Sequence, residues 1–337
     1  MRVLVTGGAG YVGSVSVERL VEAGHEVVVL DDLSTGQREA VPGVASLEIG
    51  SYGDADKLGR LLERARVDAI LHCAARSLVA ESVREPARYF RDNVIGGIVL
   101  LDAARQAGVN RIVFSSTAAI YGVPATTPIP ESAPLAPINP YGETKRNVEG
   151  ALRFYGEAYG LRSLSLRYFN VAGATERNGE LHDPETHLIP NLLRAVETGA
   201  PITLFGDDYP TPDGTCIRDY MHVLDLADAH LLALEATGAE SAAGAPAATS
   251  LNLGIGRGFS VREVVAAAEA VVGRRIPTTL GPRRPGDPPA LVAAVDRARQ
   301  ELGWTAERAT LEEMIGSAWE WRRRHLDPTT GARRPTA

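Results

Sequence analysis

A strand, a glycine-rich turn and a helix follow one another without interruption at the start of the chain. Arg2–Thr6 (RVLVT) is a short β-branched apolar run, and Tyr11–Ala23 has the apolar spacing of a helix. The turn between them, GGAGYVG, carries three glycines in the spacing G-x-x-G-x-x-G: Gly7, Gly10 and Gly13. Glycines in such a turn permit a tight bend, a close approach to a pyrophosphate and close packing of the helix on the strand. This order of elements therefore predicts a dinucleotide-binding site.

A carboxylate follows at the position that distinguishes the two common dinucleotides. The segment HEVVVLDDLSTG predicts a second strand ending at Asp31, 18 residues after Gly13. A carboxylate there accepts hydrogen bonds from the adenosine ribose and repels a 2′-phosphate. We therefore expect NAD as the cofactor rather than NADP.

Further apolar runs alternate with helical segments along the first half of the chain. The runs that predict strands are Asp68–Ala75, Arg111–Thr117 and Arg162–Asn170. This alternation predicts an α/β protein with a Rossmann-type, doubly wound parallel sheet, accompanied by a smaller α/β substrate-binding domain. The expected boundaries are 1–168 for the NAD-binding domain, 169–325 for mainly the substrate-binding domain, with interleaving of the two left open, and 326–337 for a disordered tail. The Ala/Gly/Ser-rich segment Glu235–Ser250 is predicted to be a flexible surface loop.

The sequence PYGETK places a tyrosine four positions before a lysine at the start of a predicted helix. Positions i and i+4 share one helix face, so Tyr141 and Lys145 can converge on one point. A nearby cation lowers the pKa of a phenol and makes it a usable base. The helix begins near the carboxyl ends of the predicted strands, where ligands bind in such sheets. The hydroxyls of Ser116 and Thr117 are expected to point at the same pocket.

The bulk composition excludes several classes of partner. A formal net charge of -7 and a pI near 5.6 argue against nucleic acid. The chain has no apolar stretch of the roughly 20 residues that span a bilayer, and its first residues do not resemble an export signal. We therefore expect a cytoplasmic protein without a membrane partner. Cys73 and Cys216 are expected to be core thiols, so neither a disulfide framework nor a metal site is predicted.

Seven stretches together resemble a known family over nearly the whole chain. They are VTGGAGYVGS, SSTAAIYG, PYGETK, LRYFNVAGA, GTCIRDYMHVLDLADAH, NLGIGRGFSV and PRRPGDPPA. The first three resemble the extended short-chain dehydrogenases/reductases. The later ones resemble, within that family, the enzymes that epimerise UDP-glucose at C4.

The residues after Phe114 separate this activity from those of related enzymes. The related 4,6-dehydratases carry Thr-Asp-Glu there because elimination of water needs an additional acid and base, and the related decarboxylases keep the glutamate. This chain has Thr117-Ala118-Ala119. The resemblance therefore implies oxidation at C4 and return of the hydride, without elimination. A dehydratase or reductase, an epimerase of UDP-xylose and UDP-arabinose, and a non-catalytic NAD(H) sensor remain alternatives.

The resemblance also implies a role for each matching residue. Tyr141 would take the proton of the sugar 4-hydroxyl, Lys145 and the nicotinamide would lower the pKa of the phenol, and Thr117 would relay the proton. The residues expected to hold NAD are Gly7, Gly10, Tyr11, Val12, Gly13, Asp31, Asp32, Ala74, Ala75, Asn93, Ser115, Lys145 and Tyr168. The residues expected to contact the UDP-sugar are Ser77, Thr117, Asn170, His187, Arg218, Arg284, Asp287 and Leu291.

Several positions depart from the family pattern. Ser77 stands where many family members have a lysine beside the sugar, a contact that Arg76 could make instead. Ser51 stands where the family commonly has an acidic residue that holds the adenine. His187 stands where some members have asparagine, and it is expected to bind the substrate or to be a buried structural histidine. Leu291 is smaller than the tyrosine that excludes N-acetylated sugars, so activity on UDP-N-acetylglucosamine is expected.

Two helices carry more large apolar residues than one sheet face requires. They are predicted near Arg88–Ala107 and Tyr141–Tyr159, and the residues in excess are Tyr89, Phe90, Phe154 and Tyr155. In the family these helices pair across a two-fold axis as a four-helix bundle. The resemblance therefore implies a homodimer.

Overall fold

The fold is described from a computed structural model that covers residues 1–238, 247–284, 286–327 and 331–334. The strands are β1 (Arg2–Thr6), β2 (Glu26–Asp31), β3 (Ser46–Ile49), β4 (Ala69–His72), β5 (Arg111–Thr117), β6 (Arg162–Tyr168), β7 (Asn170–Ala172), β8 (Ile202–Phe205), β9 (Ile217–His222), β10 (Ala248–Leu253), β11 (Gly258–Ser260), β12 (Thr278–Gly281) and β13 (Ala290–Leu291). The helices are α1 (Tyr11–Glu22), α2 (Ala55–Ala65), α3 (Val79–Arg84), α4 (Pro86–Tyr89), α5 (Gly96–Gln106), α6 (Pro140–Tyr159), α7 (Leu188–Thr198), α8 (Val223–Ala236), α9 (Val261–Val272), α10 (Asp296–Leu302) and α11 (Leu311–His325).

The central sheet has seven strands in the order β10-β6-β5-β4-β1-β2-β3, and every neighbouring pair is parallel. Strand order reverses around β1, since the chain first adds β2 and β3 on one side and then β4, β5 and β6 on the other. Ligands of doubly wound sheets bind at the carboxyl ends of the strands beside such a reversal. The predicted Rossmann-type sheet is confirmed, and the site belongs at this edge.

Apolar residues cover both faces of this sheet and continue into the second half of the chain. One face packs against α1 and α8, and the other against α2, α5 and α6. Strand β10 extends the sheet beyond β6. Because β10 and α8 lie after residue 168, the two parts of the chain interleave, as the sequence analysis left open.

Local signals explain where the key helices begin and end. In α6, the Asn139 side chain accepts a hydrogen bond from the Gly142 amide at 2.8 Å, Pro140 takes the first helical position, and Gly160 ends the helix in the left-handed conformation. In α9, Ser260 and Glu263 form a capping box. The start of α6 is therefore fixed one residue before Tyr141.

A smaller lobe forms around β9, which pairs with β7, β11 and β13. Helices α7, α9 and α11 bury an apolar cluster against it. Asp219 of β9 is buried, and its carboxylate accepts hydrogen bonds from the amides of Ile255, Gly256 and Ala293. Burial raises the pKa of Asp219 to about 7, and these hydrogen bonds oppose the shift. This carboxylate joins three segments of the lobe at one point.

The predicted helix over Arg88–Ala107 is interrupted. A π-helical turn over Phe90–Ile95 separates α4 from α5. Tyr89 is fully buried, and its hydroxyl donates hydrogen bonds to Leu78 and Glu81. Tyr89 is therefore a core residue and does not belong to the excess of large apolar residues predicted on this helix.

The C-terminal segment differs from the predicted disorder where it is described. Leu326 is buried and pairs with Arg333 in an antiparallel bridge. The rest of the predicted tail, 328–330 and 335–337, lies outside the described residues, as does 239–246 of the predicted loop. Among the helices that the structure describes, none is both long and apolar enough to cross a membrane.

Candidate active site

The glycine turn between β1 and α1 leaves room for an anion at the helix N-terminus. Gly7 has a φ of +73°, and a Cβ atom there would lie 2.6 Å from the Ala74 backbone. At Gly13 a Cβ would lie 2.0 Å from the Gly7 carbonyl oxygen, whereas at Gly10 its nearest neighbour is 3.4 Å away. No side chain caps α1, so its first amides are available to a pyrophosphate. The predicted cofactor residues around this turn are Gly7, Gly10, Tyr11, Val12, Gly13, Ala74 and Ala75.

The predicted ribose carboxylates lie at the end of β2, beside this turn. Asp31 is buried and accepts hydrogen bonds from the amides of Ala9 and Leu33, both at 2.9 Å. Burial raises its pKa, and these two hydrogen bonds oppose the shift. Asp32 is exposed and accepts from the Ser34 amide. Asp31 is thus held rigidly where the fold places a ribose diol, so the turn and this carboxylate fit an NAD molecule.

Tyr141, Thr117 and Lys145 converge at the carboxyl end of β5. Thr117 is the last residue of β5; its hydroxyl caps the following 3₁₀ turn by accepting a hydrogen bond from the Ala119 amide at 3.2 Å, and its interaction with Tyr141 lowers the pKa of that phenol. The Lys145 Nζ donates to the Ser115 carbonyl oxygen at 2.7 Å and lies 6.0 Å from the centroid of the Tyr141 ring. All three side chains are buried. The structure therefore brings the predicted catalytic residues together.

Burial is the main cause of the pKa shifts of Tyr141 and Lys145. Burial raises the pKa of Tyr141 to about 12, and the hydrogen bond with Thr117 opposes this shift. Burial lowers the pKa of Lys145 to about 8. The protein groups by themselves thus keep the phenol protonated at neutral pH, and the lowering of its pKa by Lys145 together with the nicotinamide stays a prediction. A second positive charge near the ring would be needed to make Tyr141 a base.

Ser116 does not point into the site. Side chains alternate along a strand, and its hydroxyl donates to Glu149 Oε1 at 2.6 Å on the opposite side of β5 from Thr117. The expectation that Ser116 faces the pocket is therefore wrong. Its role is to bind the buried Glu149.

Ser115 and Tyr168 lie near the carboxyl ends of the neighbouring strands β5 and β6. The Ser115 hydroxyl contacts His230 Nε2 at 3.0 Å and Cys73 Sγ at 3.3 Å. Burial raises the pKa of Tyr168 well above its ordinary value, and a hydrogen bond with Ser115 opposes this shift. Ser115 also supplies the carbonyl that holds Lys145. These residues lie beneath the Lys145 side chain.

Asn93 connects the loop after β4 to the catalytic helix. Its side chain exchanges hydrogen bonds with both backbone groups of Arg76, at 2.8 and 3.0 Å, and donates to Thr144 Oγ1 at 3.1 Å. Arg76 is paired with Asp92, so its guanidinium is already engaged, and Ser77 next to it is exposed. In this structure Asn93 positions that loop.

The predicted substrate residues of the smaller lobe lie on adjacent strands. Arg218 of β9 forms an ion pair with Asp287, and Leu291 of β13 is its partner in register. Asn170 begins β7 and pairs in register with Tyr220 of β9. Arg284 is exposed, and its guanidinium carbon lies 4.2 Å above the ring centroid of Phe205. Leu291 also packs near the turn that follows Thr117, so this group of residues adjoins the catalytic cluster.

His187, the residue preceding α7, contacts two carboxylates. Its Nδ1 lies 2.7 Å from Glu180 Oε1 and 3.0 Å from Glu185 Oε1. The negative charge of Glu180 raises the pKa of His187 to about 11. Tyr11 lies close by; its hydroxyl donates to the Gly173 carbonyl at 2.6 Å. The sequence analysis missed these two glutamates, although the spacing E-x-H-x-x-E-x-H was visible.

A glycine turn at a helix N-terminus, a carboxylate at the end of β2 and a tyrosine–lysine pair at one edge of a doubly wound sheet together define a class. It is the NAD-dependent short-chain dehydrogenase/reductase class, in which the tyrosine exchanges a proton while the cofactor exchanges a hydride.

Comparisons with known proteins narrow this class. The chain belongs to the NAD dependent epimerase/dehydratase family, whose model matches residues 3–245. It is 50% identical over 321 residues to a UDP-glucose 4-epimerase of Corynebacterium glutamicum, covering 95% of both chains. A structure of UDP-glucose 4-epimerase from Brucella ovis in complex with NAD aligns with a TM-score of 0.90 and 44% identity, covering 94% of this chain and 97% of that one. A UDP-glucose 4-epimerase from Stenotrophomonas maltophila, with bound NAD and formylated UDP-arabinopyranose, aligns with a TM-score of 0.90 and 39% identity, covering 96% and 98%.

These findings confirm the predicted fold, family and NAD dependence, and they favour the epimerase over the alternatives. The individual roles assigned to site residues stay predictions.

Proposed function

We propose that this protein interconverts UDP-glucose and UDP-galactose by oxidising C4 of the sugar and reducing it again from the opposite face. One observation carries the proposal: Tyr141, Thr117 and Lys145 converge at the end of β5, and the two residues that follow are Ala118 and Ala119. The site thus holds a proton acceptor and no carboxylate at the positions used for elimination. Relatives about 50% identical over nearly the whole chain carry this activity in their names.

Each protein group has a defined task in this reaction. Bound NAD supplies the hydride acceptor and returns the hydride. Tyr141 accepts the proton of the 4-hydroxyl, and Thr117, whose hydroxyl interacts with the phenol and lowers its pKa, relays that proton. Lys145 places positive charge beside the ring and lowers the cost of the phenolate. Burial of all three groups strengthens these interactions by excluding water.

The smaller lobe has the groups to hold the nucleotide. Arg218 and Arg284 offer planar guanidinium groups that suit phosphate oxygens, and Asp287 offers a carboxylate to a ribose diol. Arg218 and Asp287 would exchange their mutual ion pair for contacts with the substrate. Firm binding of UDP with a loosely held sugar allows the 4-keto sugar to rotate between the two hydride transfers.

Product analysis with a matched pair of variants tests the proposal. The purified protein with NAD should convert UDP-galactose into an equilibrium mixture with UDP-glucose, without added reductant. Tyr141→Phe should lose at least about 100-fold in kcat, the usual contribution of a positioned acid or base. Tyr159→Phe removes an exposed hydroxyl at the other end of the same helix and should turn over normally. Equal loss in both variants would contradict the role of Tyr141.

Other products would identify the alternatives. A 4-keto-6-deoxy sugar would indicate a dehydratase, and turnover restricted to UDP-xylose and UDP-arabinose would indicate a pentose epimerase. Tight NAD binding without conversion of any UDP-sugar would favour a sensor and overturn the proposal.

We further propose a cytoplasmic homodimer. Its two cysteines carry free thiols, which suits a reducing compartment. Phe90, Ile95 and Phe154 expose 38%, 61% and 58% of their surface on the π-helical turn and α6, a concentration of apolar surface that a partner copy would bury. In light scattering after size exclusion, Phe154→Asp should give a monomer. Val44→Asp, at an equally apolar but distant exposed position, should remain dimeric. A wild-type monomer would refute the dimer.

A further inference from the structure

Four metal-binding side chains meet in the segment between β7 and α7. We call Glu180, His182, Glu185 and His187 the His–Glu cluster. Their ligating atoms all lie within 4.8 Å of one another. The reaction proposed above does not use Glu180, His182 or Glu185. It also requires nothing of His187 Nδ1, the nitrogen that faces the two carboxylates.

Most ligating atoms of the His–Glu cluster lie slightly closer together than the ligands of a bound ion. His187 Nδ1 lies 2.7 Å from Glu180 Oε1 and 3.0 Å from Glu185 Oε1, while His182 Nδ1 lies 3.2 Å from Glu180 Oε1 and 3.8 Å from Glu185 Oε2. A tetrahedral ion with bonds of about 2.0–2.2 Å separates its ligands by roughly 3.4 Å. Only small side-chain shifts would complete such a geometry.

Burial makes the cluster costly unless a cation joins it. Both glutamate side chains are only 8% exposed, and among the described residues their ion pairs are formed with the two histidines alone. The contacts of His187 Nδ1 with both carboxylates offset at most one of the two buried negative charges. A divalent cation brings the set to neutrality with all four ligands in their metal-binding protonation states.

One nitrogen in the cluster has no hydrogen bond. Nδ1 of His182 is buried and makes none, although it lies beside Glu180. A buried nitrogen without a hydrogen bond is uncommon in a protein interior and requires an explanation. A metal ion between His182 and the carboxylates would provide its missing partner.

The backbone holds the other ligands in place. Glu185 Oε1 accepts hydrogen bonds from the amides of Thr186 and His187 at 2.7 and 2.8 Å, and Asn191 Nδ2 donates to the His187 carbonyl at 2.9 Å. Outer contacts of this kind orient ligands in metal sites. The cluster is thus anchored to the first turn of α7.

We propose that the His–Glu cluster is a structural zinc site. Imidazole and carboxylate ligands suit Zn²⁺, and four protein ligands with no open position are typical of structural rather than catalytic sites. The ion fastens the segment after β7 to the start of α7. That segment also accepts the hydrogen bond of Tyr11 through Gly173, so the site stiffens the junction between the cofactor helix and the smaller lobe.

Metal analysis of the whole protein tests the proposal. The chain is produced without a polyhistidine tag, dialysed against metal-free buffer and analysed for zinc, with the expected result of one ion per chain. His182→Ala and Glu185→Gln should each contain essentially none. His25→Ala removes a histidine that contacts the N-terminal amine far from the cluster, and should retain the ion.

Two further measurements keep the test decisive if one variant folds poorly. Treatment with EDTA should lower the melting temperature of the wild type and of His25→Ala, and should not change that of Glu185→Gln. Co²⁺ added to the stripped wild type should give the intense visible absorption of tetrahedral cobalt. Absence of saturable Zn²⁺ binding by the stripped wild type, or equal binding by His182→Ala, would overturn the site and leave protons on the histidines as the compensating charge.

Discussion

The buried ion pair between Glu149 and Arg167 fastens the catalytic helix α6 to the central sheet. Their side chains are only 7% and 6% exposed, and Nη2 of Arg167 lies 2.5 Å from Glu149 Oε2. Glu149 also accepts hydrogen bonds from Ser116 at 2.6 Å and Ser250 at 3.2 Å. The Glu149 carboxylate therefore binds side chains of three strands, β5, β6 and β10, and joins them to the helix that carries Tyr141.

Replacing Arg167 by methionine preserves most of the volume but leaves the carboxylate with two hydroxyl partners. Breaking a buried pair in this way should lower the free energy of unfolding by about 3–5 kcal/mol. Glu149→Leu alone should cost a similar amount because it strands the guanidinium. The double variant leaves only neutral groups unpaired and should cost about 1–3 kcal/mol.

Urea unfolding of the four proteins of this cycle measures the coupling, with equal m values as the check on two-state behaviour. We expect a coupling free energy of at least about 3 kcal/mol. Single variants that each cost less than about 1 kcal/mol, or effects that simply add, would refute the conclusion that this pair anchors α6.

Three further predictions concern the pocket, the lysine and the glycine turn. Leu291→Tyr should reduce turnover of UDP-N-acetylglucosamine at least about tenfold more than that of UDP-galactose, because the larger ring occupies the space of the acetamido group; equal effects in kcat/KM would contradict this. Burial lowers the pKa of Lys145 to about 8, below the ordinary 10.5, so the folded state releases this proton first and the free energy of unfolding should rise with pH between these values. Lys145→Met should abolish that rise in urea titrations, and parallel curves for the two proteins would refute it. Gly13→Ala should weaken NAD binding at least about tenfold in calorimetry, since its methyl group would lie 2.0 Å from the Gly7 oxygen; unchanged affinity would place the pyrophosphate elsewhere.

The strands of the first half could be predicted because each is a short apolar run between turn signals. Arg111–Thr117 forms β5 with the predicted bounds. The contribution of Ala248–Leu253 to the same sheet was not predictable, because periodicity identifies a strand but not its partner. The break over Phe90–Ile95 also escaped prediction, since no proline or glycine marks a π-helical turn in its interior.

The site was predictable where one element decides the geometry. Helical spacing alone brings Tyr141 and Lys145 to one face. Ser116 was misplaced although the period of a strand assigns it to the face opposite Thr117. The pKa of Tyr141 depends on how deeply tertiary packing buries the ring, and no local pattern contains that information.

The late arrival of β10 at the edge of the central sheet has a consequence for biosynthesis. Until Ala248–Leu253 leaves the ribosome, β6 presents an unpaired edge, and the strand that eventually covers it follows β7, β8 and β9 of the smaller lobe. The central sheet therefore cannot be completed before β7, β8 and β9 of the smaller lobe have been synthesised. A fragment that ends before β10 would carry an open, aggregation-prone edge, so exchange of whole lobes between related enzymes should fail unless β10 and α8 are moved together with the first half.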